Sequence, residues 1–102
     1  MEASPRDGDL RKDTPAISLL LWALWNPVSG GAFDVPLNEF DGYVPQVWKL
    51  LREGAGAPAV AEQLKSITEA RMGGSLGTEE RTAEALTQWW YWRYVYPKEL
   101  ER

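Results

Sequence analysis

The sequence predicts an all-α fold, a single-domain four-helix bundle with a long loop between helices 1 and 2. Three observations carry this expectation. Apolar residues recur at helical spacing in four separate stretches, helix-starting and helix-stopping residues bracket those stretches, and no two alternating runs are available to pair as strands. At 102 residues the chain has the size of one domain and can bury roughly 60–70% of its unfolded surface in a single core.

The first thirteen residues mix Glu2, Asp7, Asp9 and Asp13 with Arg6, Arg11 and Lys12 around no apolar centre, so residues 1–13 read as a flexible tail and 14–102 as the helical domain. Thr14 then offers an N-cap and Pro15 the proline tolerated at the first helical position. With Ile17, Leu20, Leu21 and Leu24 following at helical spacing, they predict a helix over about 15–25. Asn26-Pro27 stops it, because proline biases its predecessor away from the helical region. Residues 26–38 carry two prolines and two glycines without sustained periodicity and read as a long loop, anchored by the alternating Phe33, Val35 and Leu37.

Asn38 is a good N-cap for the second helix, with Glu39 and Asp41 in the turn where carboxylates favour the helix dipole. Phe40, Tyr43, Val44, Val47, Leu50 and Leu51 keep one face apolar up to Gly54. Pro45 leaves two alternatives: a kinked helix, or one that begins near Tyr43 after a separate turn. Ala57-Pro58 restarts a helix whose face holds Val60, Leu64 and Ile67, with Arg71 or Met72 at its end, before Gly73-Gly74. Thr78 caps the last helix, with Glu79 and Glu80 in its first turn and Ala83, Leu86 and Trp90 along its face towards Pro97.

That last helix carries Trp89-Trp90-Tyr91-Trp92-Arg93-Tyr94-Val95-Tyr96, six aromatics in eight residues. As a strand, positions 90, 92, 94 and 96 would share one face, but a partner strand is lacking. On a helix they reach every side of the cylinder, and a surface helix hides only one stripe. About half of the cluster is expected in the core, with Trp89 or Trp90 beside Leu86. The rest, including Trp92 or Tyr91 and Tyr94 with Arg93, has the composition of a protein-binding hot spot. Arg93 is equally suited to stack on a ring of its own chain.

The chemistry available to the chain is narrow. It has neither histidine nor cysteine, so it lacks the usual neutral-pH base, the soft nucleophile and nearly all transition-metal ligands. Lys65 and Ser66 are adjacent on a helix and face apart, a poor dyad. Asp34, Glu39 and Asp41 form an acidic cluster beside a glycine-rich loop, a possible second protein contact or, alternatively, a carboxylate-dependent enzyme or cation site. Their spacing is not that of a calcium loop. Gly30-Gly31 and Gly73-Gly74 lack the lysine and the glycine spacing of a phosphate loop. A net charge of −4 with interspersed signs argues against nucleic acid as a partner. No apolar run is long enough to span a bilayer, and an absence of disulfides suits a reducing cytoplasm. No cofactor and no metal are expected.

The segments Trp25-Asn26-Pro27-Val28, Asn38-Glu39-Phe40-Asp41-Gly42-Tyr43, Leu50-Leu51-Arg52-Glu53-Gly54 and Arg71-Met72-Gly73 together resemble a pattern of small bacterial proteins, the domain of unknown function 1871 group. There a Trp-Asp-Pro-Ile loop leads to an Asp-Glu-Tyr-Asp-x-Tyr helix start, and a Met-Gly step closes the third helix. The likeness spans roughly residues 17–73. The chain departs from the pattern at Asn26, Asn38 and Phe40 and in its long aromatic last helix. The resemblance implies a compact all-helical fold and transfers no activity. Some small acidic helical proteins serve as immunity proteins beside bacterial toxins, which is analogy alone.

These observations favour a non-enzymatic protein-binding module, of immunity or regulatory type, acting through Trp89, Trp90, Tyr91, Trp92, Arg93 and Tyr94. One alternative is a structural homo-oligomer packed through the same helix, and the other is the carboxylate-dependent site at the acidic loop.

Overall fold

A computed structural model describes residues 9–25, 38–72 and 77–100. Helix α1 runs over Leu10–Leu20 and continues as a π-helical turn, Leu21–Trp25. A 3₁₀ turn at Asp41–Tyr43 leads into α2, Val44–Glu53, followed by α3, Ala57–Met72. Helix α4, Glu79–Trp90, passes through a second π-helical turn, Tyr91–Val95, into α5, Tyr96–Leu100. The described residues therefore form four helical rods without a strand, an all-α bundle in which α3 packs along α4 and α1 packs on α2 and α4.

The helix starts show which local signals prevail. The first helix begins at Leu10 and not at Pro15, so residues 10–13, read from sequence as part of the tail, are helical. Asp9 is the N-cap. Its carboxylate accepts from the Arg11 N–H at 2.9 Å, and the Asp13 carboxylate accepts from the Asp9 N–H at 3.3 Å, so two of the orphan donors of the first turn are satisfied. Thr14 lies inside the helix and its hydroxyl donates to the Leu10 carbonyl at 2.7 Å. Pro15 is accommodated in the helix interior.

Pro45 stands in the first turn of α2, where its missing N–H costs nothing, so the helix begins after a separate turn and is not kinked. Asn38 accordingly is not the cap of α2; its carbonyl accepts from the Asp41 N–H at 3.2 Å to close the preceding turn. Gly54 ends α2 with φ +73°, a left-handed conformation that disfavours a Cβ although there is open space around it. The N–H groups of Gly54 and Ala55 return to the Leu51 and Leu50 carbonyls at 3.1 Å, the C-terminal closure that glycine permits.

Thr78 does stand at the N-cap of α4, but its side chain makes no cap bond, and its hydroxyl is buried without a partner among the described residues. The neighbouring Glu79 turns inward instead, fully buried, and accepts from the Gly77 N–H at 3.1 Å.

The core is drawn from every rod: Ile17, Leu21 and Trp25, then Phe40, Val44, Val47 and Leu51, then Val60, Ala61 and Leu64, then Ala83, Leu86 and Trp90. The faces predicted for helices 2, 3 and 4 are the faces that pack. At 1.5 Å per residue the α4–α5 rod is about 33 Å long, which suits a molecule of 45 × 24 × 23 Å. The anchoring residues Phe33, Val35 and Leu37 of the long loop, the Gly30-Gly31 and Gly73-Gly74 pairs, and the side chains of Arg71 and Met72 lie outside the described residues.

Candidate functional site

The aromatic run divides into two clusters on opposite sides of one rod. Helical geometry separates residues two apart by about 200°, so the i, i+4 pair Trp90 and Tyr94 faces away from the i, i+4 pair Trp92 and Tyr96. On the inner side the Trp90 and Tyr94 rings lie 4.5 Å apart, with Trp89 at 6.1 Å and 6.4 Å from them, and Trp48 of α2 meets Trp90 edge-on at 6.4 Å. Trp90 is buried, and Trp89 and Tyr94 pack against the core. On the outer side Trp92 and Tyr96 lie 4.7 Å apart, and Tyr91 completes a triangle at 5.3 Å and 6.2 Å. Trp92 is 57% exposed, and Leu100 is exposed too.

Of the six residues expected to make a protein contact, Trp89, Trp90 and Tyr94 are thus committed to the bundle, while Tyr91, Trp92 and Arg93 remain towards solvent. Tyr96 belongs to the outer cluster and was not among the six. A spacing of four from Trp92 is the sequence signal that would have found it. Arg93 sets its guanidinium over the Tyr94 ring at 5.4 Å, the intramolecular stacking of the two alternatives considered for it.

Tyr94 is held inward by a residue that the sequence placed in the tail. Asp13, buried on α1, accepts hydrogen bonds from the Tyr94 hydroxyl at 2.5 Å and the Trp48 indole N–H at 3.0 Å, besides that from Asp9. One carboxylate thereby joins α1, α2 and the π-helical turn after α4. Burial first, and then the bond to Asp13, raise the Tyr94 phenol above its ordinary value of 10.0, with Arg93 pulling the other way. A raised folded-state value means that the neutral phenol contributes stability in full below the ordinary value, and that this contribution is lost as pH rises through the folded value. Thermal melting from neutral to strongly alkaline pH should therefore show a steeper alkaline loss in the wild type than in Tyr94→Phe. Parallel profiles would refute the coupling.

The outer cluster is also braced. The Tyr91 hydroxyl donates to the Glu99 carboxylate at 3.0 Å, one helical stretch further on, and that bond is the main reason its phenol titrates above the ordinary range. Because Tyr91 and Tyr96 pack against Trp92 on two sides, the exposed indole is partly ordered before anything meets it.

Asp34 lies outside the described residues, Glu39 is exposed, and Asp41 accepts a hydrogen bond from the Ser18 hydroxyl, which ties the 3₁₀ turn to α1. Among the described residues no group of three carboxylates comes together in a way that would hold a metal ion. A hollow of about 360 Å³ lies beside that bond, walled by Thr14, Pro15, Leu19 and Asn38. Ser18 faces a carboxylate there, but the chain has no imidazole to take the serine proton, so the pair is not an activated nucleophile.

Two further hollows, of about 350 and 160 Å³, adjoin where the end of α2 meets the inner flank of α4. They share Leu51, Gly54, Trp90 and Val95, and Arg52 and Lys98 stand at the larger one. Among the described residues no helix is long and apolar enough to cross a membrane. In comparisons with known proteins, no family model, no curated protein and no solved structure matches the chain.

Proposed function

We propose that the protein is a non-enzymatic protein-binding module, of immunity or regulatory type, that meets its partner with the outward face of the last rod: Tyr91, Trp92 and Tyr96, extended by Leu100. The observation that carries the reading is Trp92, a tryptophan 57% exposed and braced by two tyrosines on the side of the helix away from the core. Leaving such a ring in water forfeits the gain of burying it, and tryptophan and tyrosine are the residues on which binding energy concentrates. The lack of histidine and cysteine supports binding over catalysis. The lack of disulfides supports a cytoplasmic setting.

Trp92→Ala tests the reading. As an exposed position it should leave the melting temperature nearly unchanged, within about 0.5 kcal/mol of stability. As a hot spot it should weaken capture of a partner by about 30-fold, the equivalent of about 2 kcal/mol. Undiminished capture would sink the proposal. A concentration-dependent mass in sedimentation that Trp92→Ala abolishes would identify the partner as a second copy of the chain, the homo-oligomer reading.

A further inference from the structure

The hollow of about 360 Å³ between the middle of α1 and the turn that precedes α2 has walls of two kinds. Pro15 and Leu19 are apolar, and Leu19 stands 50% exposed although Ile17 and Leu21 on either side of it are fully buried. Thr14, Ser18, Asn38 and Asp41 are polar. None of the lining residues belongs to the last rod, so the hollow shares nothing with the outward face.

Both walls are held in place. The buried Ser18 hydroxyl donates to one oxygen of the Asp41 carboxylate, the Asp41 N–H donates to the Asn38 carbonyl at 3.2 Å, and Phe40 between them is fully buried. A ligand entering there has little left to order.

The polar wall offers acceptors. The second Asp41 oxygen and the Asn38 side chain make no hydrogen bond among the described residues, and the Thr14 hydroxyl, whose proton goes to the Leu10 carbonyl at 2.7 Å, keeps its lone pairs. No basic side chain lines the hollow. Arg11 lies one turn before Thr14 on α1 and Glu39 lies beside Asn38, charges of opposite sign that leave the Asp41 carboxylate as the charge of the lining.

We propose that this hollow binds a small primary amine with a compact apolar body, its ammonium received by the oxygens of Asp41, Asn38 and Thr14 and its body laid on Pro15 and Leu19. An ammonium has only donors to offer, which suits a wall of acceptors around one negative charge. A guanidinium pairs with a carboxylate through both oxygens, and Ser18 already takes one of those on Asp41. A hard metal ion is held by several carboxylates, and this lining has one. The volume equals that of roughly a dozen waters in the liquid and suits an amine of roughly ten non-hydrogen atoms. The proposal goes beyond the outward-face reading and stands or falls separately from it.

The test uses the full chain, isotope-labelled for amide NMR, with 2-phenylethylamine as the probe and 2-phenylethanol as its uncharged counterpart of the same size. The amine should shift the backbone amides of Leu19, Asn38 and Asp41 to saturation with one dissociation constant, and leave the Trp92 indole N–H where it was. Binding should weaken on the order of 10-fold in Asp41→Asn, which removes the charge and keeps an oxygen for Ser18, and about 5-fold in Leu19→Ala, which removes apolar contact at an exposed position. Thermal melts of the two variants matching the wild type would show that the loss is one of contact and not of folding.

Absence of a saturable shift at those amides would overturn the proposal, as would equal binding of 2-phenylethanol or full binding by the Asp41→Asn, Leu19→Ala double variant. Shifts centred on Trp92 and Tyr96 instead would overturn it in favour of ring stacking on the outward face.

Discussion

Asp13→Ala should lower the unfolding free energy by about 3 kcal/mol, although sequence alone places the residue in a flexible tail. The substitution removes the acceptor shared by the Tyr94 hydroxyl and the Trp48 indole N–H and leaves both donors to find water in a partly closed site. Hydrogen bonds to a charged group contribute about 1.5–3 kcal/mol each, and the half-exposed position of Tyr94 holds the sum towards the low end. A domain of this size has a stability of about 5–15 kcal/mol, so the loss would be visible at once in urea unfolding followed by tryptophan emission. Asp13→Asn keeps the shape and one acceptor oxygen and should lose roughly half as much. A double-mutant cycle with Tyr94→Phe isolates the bond between the two residues; a coupling energy indistinguishable from zero would mean that it exchanges freely with water.

Trp25→Ala should be still more costly, about 3–5 kcal/mol, the range for emptying a buried aromatic site. Trp25 is 2% exposed, its ring packs on Phe40 at 5.6 Å and on Tyr43 at 5.8 Å, and its indole N–H donates to the Thr68 hydroxyl at 3.0 Å. The residue therefore joins the end of α1 to the turn before α2 and to the middle of α3. Trp25→Phe separates the two contributions, since it retains most of the packing and removes the bond; it should cost appreciably less than alanine. Unfolding in denaturant gives both numbers, and equal losses for the two variants would show that the hydrogen bond, and not the volume, holds the joint.

The contrast between these two residues shows what a sequence makes legible. Gly54, Ala57-Pro58 and the glutamates after Thr78 act within one turn of their own position, and the boundaries they predict are the boundaries found. Thr14-Pro15 is as good a local signal, yet α1 begins five residues earlier, because Asp9 caps it and Asp13 is required inside. The partners of Asp13 are 35 and 81 residues away in the chain, beyond the reach of any periodicity.

The candidate contact surface divides in the same way. That six crowded aromatics could not all be buried followed from helical geometry alone, and the exposed Trp92 bears that out. That Tyr94 turns inward depends on Asp13, and the hollows beside Trp90 depend on how the end of α2 meets α4, neither of which is encoded locally.

The π-helical turn at Tyr91–Val95 gives the outer face an unusual kind of adjustability. Such a turn holds one residue more than an α-turn needs, so everything beyond it is out of phase with the helix before it. Deleting a single residue there would let the turn close as ordinary α-helix, leaving Ala83, Leu86 and Trp90 packed as they are and Tyr96–Leu100 facing much as before. One residue of length can therefore be gained or lost within that turn without changing either the bundle below it or the direction in which the last turn presents its side chains.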